Sequence, residues 1–436
     1  MLSLITNPII ISVLLLCILC LCRVNVLLAL IISSVVGGLM GHIGLAEVMD
    51  IFIKGMGGNS ETALSYILLG AFAASMTHTG LAPILSMKIA NAIQYNKYLL
   101  IFILTGIAIL SQNLIPVHIA FIPILIPPLL VIMNKLNIDR RAVACGLAFG
   151  LKAPYIVIPA GFGLIFQGLI AENLIENGVV VAKNTIWQST WILGLGMLFG
   201  FLISIFISYR KPRTYENLEV KLYQEKEDLK LNRNHYITLC AAIITLIVQL
   251  WTKSLPLGAL VGLAVIFGLK AIDHKKMDKL INEGVGLMGY VAFVMLVAAG
   301  FASVMKATGG IDSLVNTIAP FMMYSKALAT FLMLFVGLFI TMGIGTSFGT
   351  IPILAVLYVP ICVKLGFSVP SIIIVLAAAA ALGDAGSPAS DTTLGPTAGL
   401  DADGQHNHIW DTCVPTFLHY NIPLIIMAIL SVVIFG

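Results

Sequence analysis

Charged side chains are scarce in this sequence. Asp, Glu, Lys and Arg make up 10% of its 436 residues, whereas soluble domains carry about 25%. Apolar residues make up 59%, in repeated runs such as 9–21 and 24–40. So little charge excludes a soluble globular enzyme, and the repeated apolar runs predict an all-α, polytopic membrane protein.

Several other signals are absent as well. The net charge of +4 is small and the basic residues are scattered, which gives no basis for binding nucleic acid. No Ser/His/Asp, HExxH or phosphate-loop pattern occurs, so neither an enzyme nor a cofactor is expected. The expected partners are the lipid bilayer, a small cation and, as an alternative, a small organic solute. The sequence also allows a homodimer.

Most of the soluble charge lies in one segment. Residues 209–234 hold seven basic and five acidic residues. Basic residues next to membrane spans indicate the cytoplasmic side, so this segment is predicted to be a solvated cytoplasmic linker without chemistry of its own. It divides the chain into a first transmembrane repeat at 1–208, the linker at 209–234 and a second transmembrane repeat at 235–436.

The two halves resemble each other at a constant offset of 229 positions, which aligns 55–136 with 284–365 without a gap. The matches include Phe72-Ala73 with Phe301-Ala302, Ile122-Pro123-Ile124-Leu125 with Ile351-Pro352-Ile353-Leu354, and Lys135-Leu136 with Lys364-Leu365. If the linker lies inside, 17 basic residues fall inside and six outside, which favours an inverted second copy. Inverted repeats with interrupted helices are typical of secondary transporters, and they favour alternating access over a channel.

Polar interruptions break the apolar runs in both halves. In the second half, 343–350 is rich in Gly, Thr and Ser and is predicted to form the tip of a re-entrant hairpin. The stretch 383–393 combines carboxylates, hydroxyls, glycines and a proline, and it is predicted to break a transmembrane helix. A loop outside the bilayer is the alternative for 383–393. In the first half, a broken crossing is predicted from 142 to about 169.

Oxygen-bearing side chains at these interruptions point to a cation site, because a hard cation such as Na⁺ needs oxygen ligands. The predicted ion-binding or coupling residues are Asp391, Asp384, Ser387, Ser390, Thr392, Thr346 and Ser347. Asp391 is the first candidate, either as a Na⁺ ligand with Ser387 and Thr346 or as a proton carrier, since proton and Na⁺ can compete for a desolvated carboxylate. Asp384 is interpreted either as a ligand or as a helix cap.

The first half contributes nitrogen-bearing side chains. The candidates for substrate contact or counter-charge are Lys152, His118, Gln112 and Asn113. Lys152 could pair with an Asp, attract the carboxylate of an organic solute, or snorkel to the interface. His118 could titrate or could be a packing residue. The loop 401–411 carries several Asp and His residues, but its spacing matches no known metal motif, so a polar gate or packed connector is favoured over a metal centre.

Two motifs in the second half resemble a known family. Gly345-Thr346-Ser347-Phe348-Gly349-Thr350 and Gly383-Asp384-Ala385-Gly386-Ser387-Pro388-Ala389-Ser390-Asp391-Thr392 are similar to the bacterial NhaC-type sodium/proton antiporter family of the ion transporter superfamily. The resemblance implies a multi-pass protein of the bacterial inner membrane that exchanges Na⁺ for H⁺. Members that move amino acids, histidine among them, or carboxylates look similar at these motifs, so a Na⁺- or H⁺-coupled permease is the alternative.

Overall fold

A computed structural model describes residues 7–22, 24–80, 96–113, 125–216, 231–310, 325–344, 346–388 and 390–436, together with positions 122, 313 and 316. Every regular element in these ranges is helical, and no strand occurs among them. The prediction of an all-α membrane protein is confirmed.

The first half contains nine helices within the described residues. They are α1 (Pro8–Leu21), α2 (Val26–Met40), α3 (Leu45–Met56), α4 (Ser60–His78), α5 (Lys97–Asn113), α6 (Leu130–Lys135), α7 (Arg140–Val157), α8 (Phe162–Glu176) and α9 (Trp187–Ile203). Polar caps fix where α2 and α7 begin: the Asn25 side chain accepts from the Leu27 amide, and the Asp139 side chain accepts from the Arg141 amide.

The second half repeats this order. Its described helices are α10 (Arg233–Thr252), α11 (Leu255–Gly268), α12 (Met277–Ala307), α13 (Lys326–Ile344), α14 (Ser347–Lys364), α15 (Val369–Ala381), α16 (Asp391–Leu400) and α17 (His408–Phe435, with π-helical first turns). Ser254 caps α11 and Ser368 caps α15, each 229 positions after Asn25 and Asp139. The helices α8 and α16 also begin 229 positions apart, at Phe162 and Asp391. The repeat therefore extends through the second broken helix of each half.

The packing of α3 and α4 against α12 shows how the two copies are related. A Cβ added at Gly70 would lie 2.5 Å from the Gly284 carbonyl oxygen, and one added at Gly55 would lie 3.3 Å from the Ala299 carbonyl oxygen. Gly284 is the equivalent of Gly55 and Ala299 is the equivalent of Gly70, so one contact is made twice about a local two-fold axis. The later residue of the first copy, Gly70, contacts the earlier residue of the second, Gly284, and Gly55 contacts the later Ala299. The segments 55–70 and 284–299 are therefore antiparallel. Equivalent helices that run antiparallel make the second copy inverted, as predicted.

This seam predicts a strong effect of one methyl group. Gly70→Ala would force a Cβ into the Gly284 backbone, and we expect it to lower the free energy of unfolding by about 1–3 kcal/mol. Gly106→Ala on α5 is the matched control, because outside its own helix backbone no atom of a described residue lies within 4 Å of its added Cβ. The control should be neutral or slightly stabilising. Thermal denaturation in detergent would measure both, and equal midpoints would contradict the close seam.

Within the described residues, five helices are long and apolar enough to cross a bilayer. They are Lys183–Ser208, Arg233–Thr252, Met288–Ala307, Ser347–Lys364 and His408–Phe435. A sixth span is formed if α7 and α8 are counted as one, since together they pass the same test with a bend of 46° between them. This bent pair is the predicted broken crossing of the first half.

Candidate functional site

The helix α7 carries a lysine into the protein interior. Lys152 is twelve residues after Arg140, so it lies roughly 18 Å along the helix, near half of an ~30 Å hydrocarbon core. Its side chain is fully buried. The helix ends soon afterwards at Val157, and the chain turns through Gly161, whose φ of +56° favours glycine, into α8. Lys152 therefore does not snorkel to the interface.

The break between α15 and α16 brings a carboxylate to the same place. Gly383 has a φ of +82°, and a Cβ there would lie 2.7 Å from the Leu338 carbonyl oxygen, so only glycine fits this turn. Asn421 of α17 supports the turn through the Gly383 amide (3.4 Å) and the Ala385 carbonyl (3.3 Å). The buried Asp384 lies between these two residues. The stretch 383–393 is thus a helix break inside the protein rather than a loop outside it.

Asp384 is the centre of a buried polar cluster. Its Oδ2 accepts from Lys152 Nζ at 2.7 Å, from Ser347 Oγ at 2.7 Å and from Tyr155 OH at 3.2 Å. Its Oδ1 accepts from Ser390 Oγ. The Tyr155 and Ser347 hydroxyls are also 3.0 Å apart. Both carboxylate oxygens are satisfied, which is what a buried charge requires.

The hydroxyl groups are held in place by helix starts. Ser390 caps α16 by accepting from the Thr392 amide, and the Thr392 hydroxyl donates to the Asp384 carbonyl at 3.1 Å. Ser347 is the first residue of α14, directly after Thr346. Asp384 is therefore not a cap, because Ser390 occupies the capping position of α16.

The site lies on the local two-fold axis. Tyr155 and Asp384 are 229 positions apart, so they are equivalent residues of the two copies, and their side chains touch. Lys152 comes from the first copy and Ser347 from the second. With one ammonium and one carboxylate the cluster is neutral overall, and the surrounding hydroxyls can rotate to accept or donate.

The remaining predicted residues lie at different distances from this cluster. Ser387 is buried and its hydroxyl donates to the Met342 carbonyl at 3.4 Å, and Thr346 precedes α14 with its carbonyl bound by Thr350. Asp391 is the first residue of α16, but its side chain is outside the described part of the chain. A Na⁺ site formed by Asp391, Ser387 and Thr346 stays a prediction.

The first-half candidates are only partly described. Gln112 is buried in the last turn of α5, and its Oε1 has no partner among the described residues. Asn113 ends α5 with a side chain outside the described set, and His118 lies entirely outside it.

Sequence reasoning missed Tyr155 and Asn421. Tyr155 donates to the central carboxylate, and its only sequence signal is its position 229 residues before Asp384. Asn421 is a lone amide within an apolar run, where a polar side chain needs a partner.

A second polar cluster joins the two copies at the linker end of α7. Arg140 binds Asp403 with both terminal nitrogens, at 2.7 and 2.5 Å, and both side chains are nearly inaccessible. Burial raises the pKa of Asp403, but the hydrogen bonds and charge of Arg140 outweigh burial and lower it below its ordinary value. Asp403 of the loop 401–411 is thus packed against α7, while the choice between a polar gate and a packed connector stays a prediction.

The start of the linker is part of this cluster. Arg213 binds Asp411 at 2.7 Å, and the Tyr215 ring lies under the Arg140 guanidinium at 4.2 Å. The Glu216 backbone N–H donates to the Gln405 side-chain oxygen, and the Gln405 side-chain nitrogen donates to the Glu216 carbonyl, each at 2.8 Å. Residues 213–216 thus contact the second half, while Thr214 and Glu216 stay exposed. The prediction that 209–234 is a solvated cytoplasmic linker stays a prediction.

His406 in this loop makes stability depend on pH. It is 2% exposed, and burial lowers its pKa to about 4 although Asp411 acts in the opposite direction. The unfolded chain binds a proton near pH 6.5, so falling pH between 6.5 and 4 favours unfolding, by on the order of 2–3 kcal/mol at pH 4.5. We expect His406→Gln to flatten thermal denaturation midpoints between pH 7.5 and 4.5. The exposed His274→Gln should keep the wild-type slope, and equal slopes for both variants would contradict the assignment.

Inverted repeats, two broken helices and a buried ion pair at their junction define a secondary transporter. The model of the Na⁺/H⁺ antiporter family matches residues 146–431, and a second Na⁺–H⁺ antiporter family model matches residues 7–93. The chain belongs to the Na⁺/H⁺ antiporter family, which confirms the resemblance found in the two motifs.

Relatives match the chain along nearly its whole length, and solved structures share its fold. The membrane protein VP2115 of Vibrio parahaemolyticus is 47% identical, over 96% of this chain and 98% of its own length. YuiF of Bacillus subtilis, whose name assigns it provisionally to amino acid transport, is 46% identical over 96% and 98%. Among structures, Neisseria gonorrhoeae MtrF, described as one of a class of antimetabolite efflux pumps, aligns with a TM-score of 0.57 at 16% identity over 90% of this chain and 85% of its own. The Alcanivorax borkumensis YdaH transporter aligns with a TM-score of 0.59 at 14% identity over 89% and 88%. These two structures support the fold alone.

Proposed function

We propose that the protein exchanges Na⁺ for H⁺ across the bacterial inner membrane, and that Asp384 binds Lys152 and Na⁺ in turn. The observation that carries this proposal is the buried Lys152–Asp384 pair surrounded by hydroxyl oxygens. The ammonium of Lys152 occupies the position next to the carboxylate that a transported cation would need. The two cations therefore compete for one anion.

Charge balance links this competition to proton movement. When Lys152 loses its proton, Asp384 is left without a counter-charge in a buried site, which is costly. One Na⁺ restores neutrality. The cluster with a protonated lysine and the cluster with a neutral lysine plus Na⁺ carry the same total charge, so one H⁺ leaves for each Na⁺ that binds.

The surrounding groups suit the exchange. Lysine offers only donors, whereas serine, threonine and tyrosine hydroxyls can turn a lone pair toward a cation. Ser347, Ser390 and Thr392 would then join the Asp384 carboxylate as an all-oxygen ligand set. We propose Asp391, together with Ser387 and Thr346, as further ligands during ion entry. Movement of one inverted repeat against the other would expose the site to each side in turn.

Flux measurements in proteoliposomes test this function. An inward Na⁺ gradient should alkalinise the lumen without any organic solute, as read by a trapped pH dye. Lys152→Gln should abolish the Na⁺-driven proton flux, because no group remains that exchanges a proton for the ion. Asp391→Asn should raise the Na⁺ concentration for half-maximal flux while leaving exchange coupled. Proton exchange that is unchanged in Lys152→Gln would refute the proposed coupling.

A coupled amino acid permease is the second candidate. The favouring observation is that the pair contains both an ammonium and a carboxylate, which are the complements of the two charges of a zwitterion. The provisional name of YuiF points the same way. In the same liposomes, this function predicts proton or Na⁺ flux only after an amino acid is added.

A further inference from the structure

A large cavity lies near the C-terminal end of α8, at the end of the α7–α8 span opposite to the Arg140–Asp403 pair. Its volume is about 820 Å³, and it is lined from α4, α8, the start of α9 and the α10–α11 turn. A dehydrated Na⁺ needs far less space, whereas volumes of about 300–1,000 Å³ are typical of sites for organic molecules.

The charges on this cavity include both signs. Glu172 pairs with Lys183 at 2.5 Å, and Glu176 pairs with Lys306 at 3.1 Å. Glu61 and Lys253 also line the cavity, and neither forms an ion pair within the described residues. Apolar lining is supplied by Leu164, Trp187, Leu250 and Leu255. One available charge of each sign beside an apolar wall matches a zwitterion with an apolar side chain.

Five aromatic rings pack together next to Asp384, beginning with Tyr155, which donates to it. The Phe348 ring lies 5.1 Å from Tyr155, 6.0 Å from Tyr66, 5.8 Å from Phe162 and 5.9 Å from Phe166, measured between centroids. At these distances the rings pack directly against one another. We call these five residues the ring cluster.

The ring cluster has the cavity on one side and the ion pair on the other. The helix α4 contributes Ser65 to the cavity lining and Tyr66 to the ring cluster. The helix α8 contributes Leu164 to the lining and Phe162 to the cluster. On the far side, Phe348 directly follows Ser347, a donor to Asp384. Contacts therefore run from the cavity-lining helices α4 and α8 through Phe348 to Ser347 and the carboxylate.

We propose that this cavity is the vestibule for a zwitterionic organic solute with an apolar side chain, and that Phe348 is the gate between the vestibule and the Lys152–Asp384 pair. The inference rests on the proposed function, because it takes that pair as the transport site. It deepens the second candidate, the coupled permease, by naming the class of solute and the residue that controls its entry.

Thiol labelling tests the gate. The background is a variant whose seven native cysteines are replaced. In it, Ser347→Cys places a reporter thiol next to Asp384, and Gly168→Cys places one in the cavity wall. A Cβ added at Gly168 meets no described residue within 4 Å outside its own helix backbone. A membrane-impermeant methanethiosulfonate should label the Gly168 reporter fast and the Ser347 reporter slowly. Adding Phe348→Ala should speed labelling at 347 at least tenfold. Phe335→Ala, which removes a half-exposed ring from the outer face of α13, should leave it unchanged.

The Gly168 reporter also serves as the folding control, because its labelling rate should be the same in both ring variants. If Phe348→Ala leaves the rate at 347 unchanged while the Gly168 reporter labels normally, the gate is refuted.

Protection of the Gly168 reporter tests the solute. L-Leucine should slow its labelling, whereas leucinamide and 4-methylpentanoate, which each lack one charge, should not. If leucine gives no protection while Na⁺-driven proton exchange persists, the solute class is refuted and the exchange function stands. If leucine protects but no Na⁺-driven exchange occurs, the exchange function fails and the vestibule stands.

Discussion

Asp384→Asn is expected to abolish coupled transport and also to destabilise the protein. The substitution removes the only carboxylate that contacts Lys152 in the described residues, and it leaves a buried ammonium without a counter-charge. Breaking a buried ion pair from one side costs about 3–5 kcal/mol. The measurements are Na⁺-driven proton flux in proteoliposomes and thermal denaturation in detergent. The exposed Asp50→Asn, whose pair with Lys54 is solvent-accessible, should change neither.

The double variant Lys152→Met/Asp384→Asn separates the two effects. Replacing both members of a buried pair by uncharged groups of similar size is often neutral for stability. We therefore expect its denaturation midpoint to return close to wild type while transport stays absent. Transport by this double variant would show that the ion pair is structural and that another residue binds the ion.

Arg140→Ala is expected to have the second largest effect. It would leave Asp403 buried without its partner and would remove hydrogen bonds of 2.9 Å to both Asn134 and the Leu400 carbonyl. The loss in free energy of unfolding should again be about 3–5 kcal/mol. Arg140→Lys should recover only part of it, because an ammonium cannot bind a carboxylate with two parallel bonds.

Arg141→Ala is the matched control for this prediction. The Arg141 side chain is 35% exposed and pairs with Asp139, the residue that caps α7. Asp139 is buried, but without the Arg141 side chain it keeps the backbone amide of residue 141 as a donor and Arg213 at 4.0 Å. The control should therefore shift the denaturation midpoint less than Arg140→Ala does. Equal midpoints for the two alanine variants would contradict the structural role of the Arg140–Asp403 pair.

Much of the fold was predictable because the duplication is written in the sequence. Glycine, proline and lysine positions keep one offset, and these residues mark turns, kinks and helix ends. The structure extends that offset to the caps Asn25 and Ser254 and to the starts of α8 and α16. Charge asymmetry then gave the inversion, which the reciprocal contacts of α3 and α4 with α12 confirm.

The centre of the site was harder to predict. Lys152 and Asp384 are brought together by the folding of two separate repeats, and a lone lysine in an apolar run allowed three interpretations. The argument for Asp391, that proton and Na⁺ can compete for a desolvated carboxylate, applies equally to Asp384. It could not include the tight turn at Gly383, which directs Asp384 into the interior, or the cap at Ser390.

The linker shows the opposite limitation. Its charge density is typical of solvated segments, but composition does not reveal that Tyr215 lies under the Arg140 guanidinium. Such contacts depend on where the chain ends of two helices meet, and this is decided only in the folded protein.

The hydrogen bond between Tyr155 and Asp384 has a consequence for how such a site can arise. On a dyad, a side chain faces its own duplicate, so a dimer of identical single copies would set aspartate against aspartate, which repel each other in a dry interior. Joining the copies in one polypeptide frees each position to differ from its twin. The second copy can then carry the acid, Asp384, while the first carries a phenol, Tyr155, that donates to it. At this pair of equivalent positions the buried site has a single negative charge rather than two or none.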